Sequence, residues 1–214
     1  MSELIFEIRI CKSCGLRYPL QKGHAFGKRC PHCLGETGVA ARKIIREEDR
    51  KNEETANRSG GFRAVLLDNI RSAWNVGSIF RSADGFGFDH VYLCGITPTP
   101  EVEAVAKTSL GAEEAIPWSH HKDAVKLVTA LKQEGWRILA LEEGEGAKDL
   151  RQRVPVETRM VLIVGSEVTG VDPDLLALCD EILEIPMRGQ KRSFNVSIAF
   201  GVAAFALTGD GFRA

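Results

Sequence analysis

Five short runs dominate the last three quarters of this 214-residue chain: AVLL (64–67), HVYLC (90–94), RILAL (137–141), MVLIVG (160–165) and EILEI (181–185). Each is rich in β-branched and aliphatic residues, and most are apolar at consecutive positions instead of alternating with polar ones. A strand without a polar face has to be covered on both sides, which is the situation of a parallel sheet sandwiched between helices. Helical patterns fall between the runs, near 75–86, 101–109, 121–134 and 173–179, with a last one from about 195 to 208. Residues 61–214 are therefore expected to form an α/β domain with a parallel sheet flanked by helices. The usual ligand of such a sheet is a nucleotide on a glycine fingerprint, GxGxxG. The two nearest matches, GFGFDH (85–90) and GEGAKD (144–149), both lack the third glycine, and there is no GxxxxGK[ST]. A nucleotide-like cofactor would have to bind in another way.

The first 38 residues follow a different logic. CKSC (11–14) and CPHC (30–33) stand 15 residues apart, the spacing of a four-cysteine zinc site. Each pair is a tight knuckle that offers two thiolates to one side, and Gly15 gives the first knuckle a permissive backbone. Cys11, Cys14, Cys30 and Cys33 are the expected ligands of a structural Zn²⁺, which would supply most of the folding free energy of so small a unit. Four thiolates complete the tetrahedron, so His24 and His32 are expected outside it. Cys94 and Cys179 stand alone in apolar contexts (VYLCG, LALCD) and are expected to be buried fillers.

Charge separates the two parts. Residues 1–60 carry 12 Lys/Arg and 8 Asp/Glu, whereas residues 61–214 carry 16 and 21. Between Ile8 and Gly35 there are six cations and no acid. That run suits a polyanion, or it is simply a solvated face. Residues 39–60 mix both signs and end at SerGlyGly, which reads as a solvated helix or flexible linker. No apolar run approaches the ~18–20 residues of a membrane span, and MSELIFEIRICKSCG lacks the features of a signal peptide, so a cytoplasmic location is expected.

Three motifs sit where strands give way to helices. In DNIRSAWNVGSIFRSADGFGF (68–88), Asn75 is placed to cap a helix, with Trp74 and Ile79 as a hydrophobic staple. Arg81 then falls among Ile79, Phe80 and Ala83, where the plain alternative is a snorkelling side chain. LIVGSEVTGVDPDLL (162–176) runs from a strand into a loop holding two glycines and Glu167, before Asp172-Pro173 opens a helix. IPMRGQKRSFNVSIAFGVAAFAL (185–207) places Arg188, Lys191 and Arg192 ahead of Ser193-Phe194-Asn195 and a final apolar helix. A Ser and an Asn there read as helix caps or as the wall of a site. In a parallel sheet such junctions share one end, and that end is where ligands bind.

Taken in order, NVGSIFRSADGFG, KTSLGAEEAIPW (107–118), VGSEVTGV and IPMRGQKRSFNVSIAFGVA resemble the SpoU branch of the SPOUT RNA 2′-O-ribose methyltransferases. The resemblance covers nearly all of residues 63–208. It implies a C-terminal deep trefoil knot that holds S-adenosylmethionine in a bent shape. It also implies a homodimer joined through the knotted region, with each site borrowing from both subunits. By this resemblance the cofactor lies against Leu141, Gly165, Ile185, Met187, Ser193 and Phe194. The catalytic set is Asn75, Arg81, Glu167, Ser193 and Asn195. Phe194 departs from the Leu usual between the Ser and the Asn, which implies repacking beside the cofactor. Lys191 and Arg192 lie outside the fixed motif and either touch phosphate or are solvated. The expected reaction is methyl transfer to a ribose 2′-hydroxyl of tRNA or rRNA, with Arg81 as base or as phosphate clamp. The zinc ribbon, with Arg17, Tyr18, His24, Phe26, Lys28 and Arg29, would then be an RNA-recognition arm. A non-catalytic RNA-binding or ribosome-associated zinc protein on the same fold is the alternative.

Overall fold

A computed structural model describes residues 3–24, 27–46, 61–144, 146–152 and 159–208. The chain divides into two compact units, Met1–Arg58 and Ser59–Ala214. In the first, strands β1 (Glu3–Cys11), β2 (Arg17–Gln21) and β3 (Thr37–Arg46) form an antiparallel sheet in the order β2-β1-β3. Here the expected boundary at residue 38 needs correcting. Residues 39–46 are not linker or helix but most of β3, paired along β1 from Cys11↔Thr37 onwards. The charges of ARK that suggested a tether are carried on a strand most of whose described side chains are exposed, and Arg42 makes an ion pair with Glu7 of β1 (3.5 Å). The remaining linker residues, 47–60, lie outside the described residues, as does Phe26.

The second unit holds β4 (Arg63–Asp68), β5 (His90–Cys94), β6 (Trp118–His121), β7 (Arg137–Leu141), β8 (Lys148–Asp149), β9 (Met160–Val164) and β10 (Glu181–Glu184). All of their pairings are parallel, in the order β6-β5-β4-β9-β7-β10-β8. The helices are α1 (Ala73–Gly85), α2 (Glu103–Ser109), α3 (Ala112–Ala115), α4 (Ala124–Gln133), α5 (Pro173–Leu178) and α6 (Val196–Thr208).

The period-2 geometry of a strand sorts the apolar runs into two cores. Val65, Leu67, Leu139, Leu162 and Val164 meet α1, α2, α3 and α6 on one face. Ala64, Leu66, Ile138, Ala140, Val161 and Ile163 meet α4 and α5 on the other. Double coverage is why these runs carry no polar face. α6 contains no charged residue, and it packs Phe200, Ala203, Ala204 and Leu207 into the first core beside α1. No helix among the described residues is long and apolar enough to cross a membrane.

Candidate active site

The N-terminus of α1 departs from its sequence-based expectation in an informative way. Ser72, not Asn75, is the N-cap, and its hydroxyl accepts the N–H of Asn75 (3.3 Å). One turn of helix starts earlier than expected, so Trp74 stands largely exposed and no Trp74–Ile79 staple forms; Ile79 is buried in the core instead. Relieved of capping, the Asn75 amide points away from its own helix. Its Nδ2 donates to Glu167 Oε1 (2.8 Å), and its Oδ1 accepts from Asn195 Nδ2 (3.1 Å). The carboxylate can only accept, so it fixes which way the Asn75 amide faces. Asn195 in turn uses its own Oδ1 to accept the N–H and hydroxyl of Ser197 (2.9 and 2.7 Å), capping the first turn of α6.

Glu167 sits in the loop that follows β9. Besides Asn75 it accepts the backbone N–H groups of Arg71 (3.0 Å) and Ser72 (3.3 Å). Burial pushes its carboxyl up, but those two N–H donors and the Asn75 amide outweigh it and hold the group below the ordinary glutamate value. The carboxylate thus ties the loop to the entrance of α1.

Two further carboxylates clamp the same loop, and neither was expected from sequence. Glu142, just beyond β7, accepts the N–H of Val171 (2.8 Å), and Asp68, at the end of β4, accepts the N–H of Asp172 (3.0 Å). Asp68 is buried; burial raises its pKa despite bonds from the Asp172 N–H and the Asn69 amide. Within the loop, Ser166 and Gly170 exchange backbone bonds of 3.0 and 2.9 Å. Gly165 allows this closure: a Cβ there would lie 2.2 Å from the Gly170 carbonyl carbon and the Val171 nitrogen.

These loops enclose a cavity of about 620 Å³, within the range of small-molecule sites. Its wall is built from the ends of β7 and β9, from the segment after β10, and from the start of α6. Every residue expected to touch the cofactor is there: Leu141, Gly165, Ile185, Met187, Ser193 and Phe194. Glu167 and Asn195 also line it. The lining combines the apolar Leu141, Ile185 and Met187 with polar and charged residues, a mixture that fits an adenosine with a charged tail.

Arg81 is the exception. It is exposed on α1, six residues beyond Asn75, and so about 9 Å further along the helix axis. Among the described residues it makes no hydrogen bond or ion pair, and it does not line the cavity. Lys191 is likewise unpaired among the described residues, whereas Arg188 adds its charge to the side-chain and backbone hydrogen bonds of Arg151 that lower the pKa of Asp149. Burial raises Cys94 to about 12 and Cys179 to about 11, so neither is a ready nucleophile.

Residues 63–205 match the SpoU rRNA Methylase family. The chain belongs to this family. Among curated relatives it is similar to a tRNA (guanosine(18)-2′-O)-methyltransferase of Thermus thermophilus, at 31% identity over 73% of this chain and 79% of that protein. Among solved structures it resembles an AdoMet-bound rRNA methyltransferase from Sinorhizobium meliloti, with TM-score 0.64 and 26% identity over 69% of this chain and 56% of that one. It also resembles a TrmH/SpoU tRNA modifying enzyme of A. aeolicus, with TM-score 0.62 and 25% identity over 67% and 72% of the two chains. In this SpoU family member the cavity and the Asn75–Glu167–Asn195 network both lie within the matched residues.

The N-terminal unit lies outside the matched region and has its own cluster. The Sγ atoms of Cys11, Cys14, Cys30 and Cys33 lie within 4.8 Å of one another, with Cys11–Cys33 at 3.4 Å and Cys14–Cys30 at 3.7 Å. Backbone N–H groups of Ser13, Cys14 and His32 point at the sulfurs of Cys11 and Cys30, each at 3.4 Å. The N–H of Cys14, opposed by burial and helped by the N–H of Ser13, lowers the Cys11 thiol to about 6. Neither His24 nor His32 joins the cluster.

Proposed function

We infer that this protein transfers a methyl group from S-adenosylmethionine to a ribose 2′-hydroxyl of structured RNA, either tRNA or rRNA. The observation that carries the reading is the hydrogen-bonded chain from Asn75 through Glu167 to the cavity wall, in a domain that belongs to the SpoU family. When bound, the cofactor supplies an electrophilic methyl group, so the protein's remaining work is to position the hydroxyl and ease its proton away.

Ser193 and Asn195 stand on the cavity wall where a ribose hydroxyl or the polar end of the cofactor would reach them. Glu167 and Asn75 hold Asn195 in place. Arg81 is assigned to clamp the phosphate beside the target ribose. A guanidinium offers a planar fork of N–H donors and no acceptor, which suits an anion better than proton abstraction. Its distance from the Asn75 network within one chain fits the further proposal of a homodimer in which Arg81 of the partner subunit completes each site. The exposed stripe Ile198, Val202 and Phe205 on α6, spaced i, i+4, i+7, supplies the apolar surface for such a dimer. We also propose that the segment between β10 and α6 is drawn through the loop after β9 as a deep trefoil knot, which gives the cavity its bent form.

The four cysteines are proposed to hold Zn²⁺. A tetrahedral ion with Zn–S bonds of about 2.3 Å requires sulfurs roughly 3.8 Å apart, close to the spacings here. The surrounding unit exposes Arg17, His24, Lys28 and Arg29 and is proposed as the RNA-recognition arm. Tyr18 is half-buried, and its hydroxyl bonds the Arg29 carbonyl (3.4 Å), so it braces the arm.

The test is to incubate the protein with methyl-labelled S-adenosylmethionine and unmodified total RNA, beside Arg81→Ala. Label confined to one size class of RNA is expected, with loss of both rate and RNA affinity in the variant. Cofactor binding without label in any RNA would contradict the reading.

A further inference from the structure

The cavity described above carries an uneven set of charges. Glu142, Glu143, Glu167 and Glu184 all contribute to its lining, and Arg192 is the one cation among the lining residues. Two of the carboxylates are engaged by the protein itself. Glu142 accepts the N–H groups of Val171 and Glu143 (2.8 and 3.1 Å), and Glu167 accepts from Arg71, Ser72 and Asn75. The side chains of Glu143 and Glu184 accept no hydrogen bond from the described residues. The Arg192 guanidinium likewise has neither hydrogen bond nor ion pair among them.

S-adenosylmethionine has three charges: a sulfonium, an ammonium and a carboxylate. The surplus of carboxylates suits the first two, and only one group on the wall, Arg192, opposes the third in charge. We propose that Arg192 receives the amino-acid carboxylate of the cofactor and so sets the direction in which its tail leaves the cavity. A guanidinium presents two parallel N–H donors to a carboxylate, a match that a lysine cannot reproduce. Arg192 directly precedes Ser193 on the same wall, so a tail anchored there directs the rest of the ligand back toward Ser193 and Asn195. This assignment rests on the cofactor reading above, and it names a residue which that reading left as a solvated or phosphate-facing cation.

Calorimetry with S-adenosylhomocysteine and with its decarboxylated analogue, which keeps the ammonium, separates the possibilities. The wild-type protein should bind the carboxylate-bearing ligand about 10- to 100-fold more tightly, the usual worth of a charge-assisted bidentate pair. In Arg192→Gln that ratio should collapse toward one, and in Arg192→Lys it should be partly restored, while RNA retention at fixed salt stays within twofold. An unchanged ratio in Arg192→Gln overturns the assignment. If RNA retention falls as well while the ratio holds, Arg192 is a phosphate contact instead. Failure of the wild-type protein to bind either ligand would remove the cofactor reading, and this assignment with it.

Discussion

Asn75 on α1 and Asn195 at the entrance to α6 are 120 positions apart in the chain, yet the Asn195 amide donates to the Asn75 carbonyl oxygen at 3.1 Å. Because Asn75 simultaneously donates to Glu167, three segments that follow three different strands are joined through one side chain. The amide is needed in both senses, as donor and as acceptor.

Asn75→Asp keeps the size and removes the donor, placing a second carboxylate against Glu167. The methylation rate is expected to fall by about 10²-fold, the scale of a small misplacement in a positioned site. Cofactor affinity, measured by calorimetry, should change far less, because Asn75 does not line the cavity.

Gly165→Ala should abolish cofactor binding and lower stability. Its Cβ would fall 2.2 Å from backbone atoms of Gly170 and Val171, which cannot move without releasing the Glu142 and Asp68 clamps. Overpacking of this kind costs about 1–3 kcal/mol. Gly189→Ala is the matched control, since nothing lies within 4 Å of its Cβ position. Thermal melts of the two variants make the comparison.

Removal of metal should act on the N-terminal unit alone. Chelation, or Cys30→Ser, is expected to expose the amides of β1–β3 to hydrogen exchange while β4, β7 and β9 stay protected. Elemental analysis should find one zinc per chain beforehand.

The stripe on α6 predicts the oligomeric state. Val202→Asp, at a position 41% exposed in one chain, should leave the monomer folded but convert a dimer to a monomer in sedimentation. Activity should fall with it if Arg81 acts across the interface.

A mild acid sensitivity is expected from the edge of the sheet. The Ser119 hydroxyl lies between His90 Nε2 (3.0 Å) and His121 Nε2 (2.9 Å), with Tyr92 against both rings. Burial, then the charge of His121, lowers the pKa of His90; burial, then the charge of His120, lowers that of His121. The unfolded chain therefore binds these protons more readily, so stability should decline as pH falls below about 6.5. Chemical denaturation of the wild-type protein and His90→Gln across that range measures it, with a flatter slope expected in the variant.

The central strands were legible because a doubly covered strand must be apolar on both faces, and β4, β7 and β9 fall where their runs predicted. The edge strand β6, WSHH, was not, because its outer half carries polar side chains that give no strand pattern. Most of β3 reads as linker in the sequence because its charges are carried on a small sheet with little core to impose alternation. Among site residues, those lining the cavity were found through a resemblance of motifs. Asp68 and Glu142 escaped notice because their partners are backbone N–H groups 104 and 29 positions away, a relation that leaves no mark in local sequence. Ser72 was missed because RSAWN offers two acceptable caps one turn apart, and only the fold chooses between them.

The most direct test of the account is the chemical identity of the methylated product. RNA labelled by the wild-type protein would be digested to nucleosides and analysed by mass spectrometry. The account predicts that the added 14 mass units stay with the ribose fragment, as a 2′-O-methylnucleoside protected from alkaline cleavage. A label that leaves with the free base would contradict it.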